Sequence, residues 1–340
     1  MVMVGHLLDH GQFGTYAVFG FYVISGYLMT LIMHQSYGYT GVGRLRFLLN
    51  RALRLYPLYW LACLFSIGLI ILLGNDAVSG FHRVIYLPTN ATSIGENLSM
   101  WFIGFFPNKV APRLVPPTWS ITVELFFYLM ICTGLSRSMQ RVQVWLGASA
   151  AYYIFSFATA QNWGYRYFPV PAASLPFAIG SLVFFLRGYW RTQKLFRARL
   201  FAPEWLLILI LINALSWAIS KRFFEGTFYI SLLVSSVLVL QLASGREWKW
   251  MSKKLDTFIG DLSYPIYLLH WPTGLLVSYT LFGKPIRDAS ANGLMNLAIS
   301  LLLIFSISIV LVKLVDRPMQ NLRAKVKHGA LPQLPRASVK

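Results

Sequence analysis

Ionisable side chains set in otherwise apolar sequence are the residues of this chain most suited to chemistry. His6, Asp9 and His10 are spaced i, i+3, i+4, so a continuous helix carries all three on one face. An aspartate placed there orients an imidazole for general-base work, while His-x-x-x-His is also half of a zinc site. Ser120, Glu124 and Tyr128 recur every four residues and draw a polar stripe along an apolar helix. Hydroxyls in such a stripe read as interhelical hydrogen bonds. The carboxylate reads as a functional group, because a charge at that depth is expensive to keep. Ser263, Tyr267 and His270 share another face at i, i+4, i+7, with His270 either acting directly or supporting a neighbour. Arg51 and Arg54, an i, i+3 pair, form a fork suited to phosphate. Plain anchoring of the chain at a membrane boundary is the alternative for these arginines. His34, His82 and His328 sit near boundaries or in loops and carry no specific signal.

The elements that must position these groups follow from composition. Of 340 residues, 56% are hydrophobic and only 12% charged, against roughly 25% charged in an ordinary soluble domain. That deficit excludes a normal water-facing surface and excludes disorder. Nine stretches approach the length of about 20 apolar residues that crosses a bilayer: 13–33, 56–74, 114–136, 142–165, 167–186, 205–220, 226–245, 262–283 and 289–312. Residues 1–8 read as the outer half of a tenth helix whose beginning is missing from this chain. The expectation is an all-α, polytopic membrane helical bundle over 1–316, followed by a basic tail at 317–340. Cys63 and Cys132 lie far apart in apolar stretches and read as small packing residues.

The net charge of +19 would suggest nucleic acid if taken as one number. Sorted by loop, 22 of the 30 basic residues fall on one side of the expected bundle, which makes that side, and the C-terminus, cytoplasmic. No nucleic-acid partner is expected. The long segment 75–113 then lies outside, as a cap over an external opening. Of the eleven carboxylates, Glu124 alone falls well inside a complete span. Patterns for nucleotide hydrolysis, for the nucleophile elbow and for zinc proteases are missing.

In order along the chain, His6 at a helix end, FYVISGYL (21–28), NRALRLYPLY (50–59), TWSITVELFFY (118–128), LSYPIYLLH (262–270) and DRP (316–318) resemble integral-membrane acyltransferase family 3. Each motif is loose, but the ordered set spans nearly the whole chain. The resemblance implies a ten-helix fold with both ends cytoplasmic, in the bacterial cytoplasmic (inner) membrane. It implies no tightly bound cofactor, an acyl-CoA donor, usually acetyl-CoA, and a hydroxyl acceptor on a cell-surface or lipid-linked glycan. By resemblance His6 is the essential histidine, Arg51 and Arg54 hold the donor, and Glu124 is the central carboxylate. Ser25 and Gly26, grouped by resemblance with the donor-binding residues, match a Ser-Gly element in which glycine permits close approach of a helix or a ligand. A basic residue about ten positions before the histidine also belongs to the pattern, and it has no counterpart here. A homo-oligomer is compatible with all of this.

The chemistry expected on that footing has His6, oriented by Asp9 or a neighbouring carboxylate, take the acceptor proton. Glu124 and His270 then position the acceptor or tune His6. The rival expectations are a proton-coupled transporter or flippase of a glycan precursor, and a non-catalytic membrane scaffold.

Overall fold

The computed structural model describes residues 1–10, 12–194, 198–220 and 223–328. Its elements are helical, with no strand among the described residues. A helix satisfies its own backbone hydrogen bonds where water is scarce, which is what so apolar a sequence requires. The helices are α1 (Val2–Leu7), α2 (Gln12–Ile32), α3 (Gly41–Leu73), α4 (Asn75–Phe81), α5 (Ala91–Ser99), α6 (Trp119–Thr133), α7 (Met139–Ala158), α8 (Val170–Thr192), α9 (Pro203–Ser220), α10 (Phe224–Ala243), α11 (Lys253–Phe282), α12 (Ala291–Leu311) and α13 (Arg317–His328). Among the described residues six segments have the length and hydropathy to cross a membrane: Gln12–Tyr37, Gly41–Leu73, Trp163–Thr192, Pro203–Ser220, Phe224–Ala243 and Ala291–Lys327. The expected spans at 114–136, 142–165 and 262–283 correspond to α6, α7 and α11 but fall outside this set, so length and hydropathy together do not reach the expected count.

Helix α2 is central and packs along α8, α10 and α6. Its approach to α8 is set by two glycines. A Cβ on Gly26 would lie 2.2 Å from the Phe177 carbonyl oxygen, and one on Gly180 would lie 2.0 Å from that of Val23. The two backbones touch because neither residue has a side chain. Gly26 is therefore a helix-packing residue.

The long segment after α3 folds back along that helix. Tyr56, Tyr59 and Trp60 in mid-α3 donate to the carbonyls of Ser99, Asn97 and Leu98. Those contacts lie about 20 Å below the end of α3 at a rise of 1.5 Å per residue. Irregular backbone survives at that depth only when protein groups satisfy it. Asn97 donates to the carbonyls of Ser93 and Pro112 and accepts from the Leu114 amide. Arg113, buried, spends its guanidinium on the carbonyls of Pro107, Val110 and Pro116.

At the opposite end, α13 lies against α3. Residues 317–328 of the basic tail are thus helical, and Arg336 and Lys340 lie outside the described residues. Cys63 and Cys132 are buried and free, as packing residues should be.

Candidate active site

Helix α1 ends at Leu7, with Leu8 as its C-cap, and Asp9 takes a left-handed conformation with φ of 57°. The helical face expected to join His6, Asp9 and His10 therefore does not form. Aspartate tolerates this conformation better than most residues because its short polar side chain bonds locally. The Asp9 carboxylate, 72% exposed, accepts from Arg287 Nη2 at 2.9 Å, and His10 turns to the carbonyl of Leu8. Neither residue bonds His6.

His6 instead meets His270. Its Nδ1 lies 2.9 Å from His270 Nε2, with the ring centroids 5.1 Å apart and nearly parallel. His270 Nδ1 lies 2.8 Å from the Tyr267 carbonyl oxygen. A carbonyl can only accept, so His270 Nδ1 carries the hydrogen and Nε2 of the neutral ring holds a lone pair. His6 Nδ1 must then be the donor, and His6 Nε2 is left as the acceptor nitrogen. The backbone of α11 thus selects the tautomer of a side chain on α1.

One guanidinium ties this centre together. Arg287 donates to the backbone carbonyls of His6 and Phe81 as well as to Asp9. It stacks on Trp271 with its guanidinium carbon 4.4 Å from the ring centroid. Trp271 in turn packs on His6, and His82 meets it edge-on at 4.2 Å. Sequence reasoning missed Arg287 and His82. The available signal was that Arg287 is one of eight basic residues on the charge-poor side, where anchoring does not explain a cation.

Three cavities run from this centre to the opposite end of the bundle. The first, about 340 Å³, is walled by His6, Gln12, Thr15, Trp119, Trp163 and Tyr167 among others. The second, about 380 Å³, shares Val2, Val18 and Tyr267 with the first. Its lining is mostly aliphatic and aromatic, and it also includes Ser25, Ser120, Glu124 and Tyr128. The third, about 520 Å³ and basic, shares Arg51 and Arg54 with the second and adds Asn50, Asp261, Arg323 and Lys327. Volumes of this size suit small organic ligands. From Asp261 in the third cavity to His270 is about 14 Å along α11.

The polar stripe on α6 faces the middle cavity as its spacing predicts. Glu124, 2% exposed, accepts hydrogen bonds from Ser25 Oγ at 2.7 Å and from the Tyr128 hydroxyl. Ser120 Oγ is 2.6 Å from the Tyr267 hydroxyl, and Tyr267 borders the cavity that His6 lines. Glu124 does not touch the histidine pair. Ser263 lies at the edge of the same cavity and bonds the Gly260 carbonyl. In the basic cavity Arg54 donates to both oxygens of buried Asp316, while Arg51 donates to Asn50 Oδ1 at 2.8 Å. No group of three or more metal-ligating side chains occurs among the described residues.

A family model described as an acyltransferase domain matches residues 1–313. The chain is 27% identical over 285 residues to the membrane-bound transacylase BcsY of Komagataeibacter xylinus, covering 77% of this chain and 67% of that protein. It is 25% identical over 298 residues to the O-acetyltransferase OatA of Staphylococcus aureus, covering 78% of this chain. The chain spans 47% of the length of OatA. No solved structure matches.

Proposed function

The chain belongs to the membrane acyltransferase family whose model it matches, and on that premise we propose that it moves an acyl group, acetyl in the first instance, from cytoplasmic acyl-CoA to a hydroxyl of a cell-surface or lipid-linked glycan. The observation that carries this reading is the His6–His270 pair, set in the wall of the first of three adjoining cavities whose last is basic. Phosphates of the donor would rest at Arg51 and Arg54. The pantetheine arm would follow the middle cavity past Glu124, whose carboxylate is suited to accept from its amide N–H groups. The acceptor would enter beside the flat rings of Trp119, Trp163 and Tyr167.

His6 Nε2 then takes the proton of the acceptor hydroxyl as the oxygen attacks the thioester carbonyl carbon. The carbon–sulfur bond breaks and His6 returns the proton to the leaving sulfur. His270 holds the ring and its tautomer throughout, the part a carboxylate plays in other catalytic pairs. The distribution of basic residues supports a cytoplasmic C-terminus and a bacterial cytoplasmic membrane. The chain is a multi-pass membrane protein, and no tightly bound cofactor enters the proposal.

Transfer from labelled acetyl-CoA into glycan of membranes carrying the protein tests the reading. Label should appear with the wild type and not with His6→Ala. Transfer by His6→Ala at the wild-type rate would overturn it.

A further inference from the structure

We propose that α13 reads the 3′-phosphate of the donor's nucleotide through Arg323, so that the protein selects CoA thioesters over dephospho-CoA thioesters. The inference rests on the acyl-CoA reading above and assigns to the basic cavity a specific phosphate group.

Two observations carry it. The first is how charge is arranged around Asn50. Arg323 Nε donates to Asn50 Oδ1 at 3.3 Å, and Arg51 Nη2 donates to the same oxygen at 2.8 Å. Two guanidinium groups are therefore gathered on one neutral amide with no carboxylate between them. Arg51 Nε is buried without a partner. Asp316, the buried carboxylate nearby, is already taken by Arg54 and by Gln320 Nε2 at 2.8 Å. Beside Arg54, which Asp316 already pairs, the cavity's charged lining holds Arg51, Arg323 and Lys327 against a single carboxylate, Asp261. Like charges held this way repel, and a multiply charged phosphate relieves that repulsion while meeting the fork geometry of arginine.

The second observation is the order of these groups along the cavities. Arg51 and Arg54 line both the apolar and the basic cavity, whereas Arg323, Gln320 and Lys327 line the basic cavity alone. A CoA thioester has a matching order: acyl group, pantetheine, diphosphate, then the ribose with its 3′-phosphate. With pantetheine in the apolar cavity, the diphosphate falls at the shared arginines and the 3′-phosphate beyond them, at Arg323 and Lys327.

The geometry also makes the variant safe to interpret. Asn50 Nδ2 donates to the backbone carbonyl of Arg323, not to its side chain, so truncation keeps that link between α3 and α13. The experiment is equilibrium competition by CoA, dephospho-CoA and 4′-phosphopantetheine on the detergent-solubilised protein, with thermal melts to check folding. The wild type should prefer CoA over dephospho-CoA by about tenfold or more, since each charge-assisted contact is of the strong kind. Arg323→Ala should lose about tenfold for CoA, while its affinity for dephospho-CoA changes by less than about twofold. Arg323→Lys should recover part of the preference, because the charge remains and the fork does not. Equal wild-type affinity for CoA and dephospho-CoA would overturn the inference and leave the acyl-CoA reading intact. So would equal losses for both ligands in Arg323→Ala and Arg323→Lys. Wild-type protein that binds none of the three would overturn both. If 4′-phosphopantetheine competes as well as CoA, the nucleotide phosphate is not read and the inference fails.

Discussion

His6 and His270 are 264 residues apart in sequence and 2.9 Å apart in space, joined nitrogen to nitrogen. Because the Tyr267 carbonyl fixes His270 Nδ1 as a donor, the pair has one consistent hydrogen pattern, and it leaves a lone pair on His6 Nε2. The two rings come from helices 264 residues apart in the sequence. What holds them in register is the docking of α1 on α11.

That arrangement makes the two histidines a unit. His6→Ala should lower acetyl transfer by about 10²–10⁴-fold, the usual worth of a general base. His270→Ala should cost a comparable amount, about 10²–10⁴-fold, since a base left in the wrong tautomer loses most of its worth. The double variant should be no worse than His6→Ala alone, because groups acting together are not additive. Initial rates of transfer for the three variants decide this. Losses that multiply would separate the residues into independent roles.

Asp9 and Arg287 should part company. Asp9 is exposed and its pair with Arg287 lies at the surface, so Asp9→Ala should cost less than about 1 kcal/mol of stability. It should leave transfer within about threefold of wild type. Arg287→Ala removes donors to the carbonyls of His6 and Phe81 and the stack on Trp271. Loss of kcat by about tenfold or more, with KM for acetyl-CoA little changed, is the expected result. Steady-state kinetics on both variants would show whether the salt bridge or the backbone clamp matters.

Glu124→Gln tests the middle cavity without disturbing its wall. The glutamine oxygen still accepts from Ser25 and Tyr128, so the variant should accumulate and melt as wild type does. With an amide in place of one acceptor oxygen, KM for acetyl-CoA should rise about tenfold and kcat should stay within about threefold. A fall in kcat alone would move Glu124 from donor positioning to the reacting centre.

The contact between α2 and α8 gives a stability prediction. Gly26→Ala and Gly180→Ala each push a Cβ into a backbone carbonyl and should lower the melting temperature in detergent, at a cost of about 1–3 kcal/mol. Gly68→Ala, with nothing within 4 Å of the added carbon, should be neutral or slightly stabilising because alanine favours helix. Equal melting of all three would remove the close approach as the reason for Gly26.

Much of the molecule is legible in the sequence alone. Apolar stretches identify the helices, because a bilayer-length run of uncharged residues has one economical backbone solution. The stripe of Ser120, Glu124 and Tyr128 points into a cavity as its period requires, and Arg51 and Arg54 line the basic cavity. These are local facts, fixed by helix geometry within a turn or two. Partner choice is not local. Asp9 lies three residues from His6 yet bonds Arg287, because the helix between them ends and the left-handed turn aims the carboxylate away. Gly26 answers to Phe177, the segment after α3 folds back along that helix, and Arg323 meets Arg51 through one amide oxygen. Periodicity says which face of a helix is polar, but which other helix it faces depends on how the whole bundle packs. The tertiary structure alone could join His6 to His270, since that bond links residues 264 positions apart and leaves no trace in spacing.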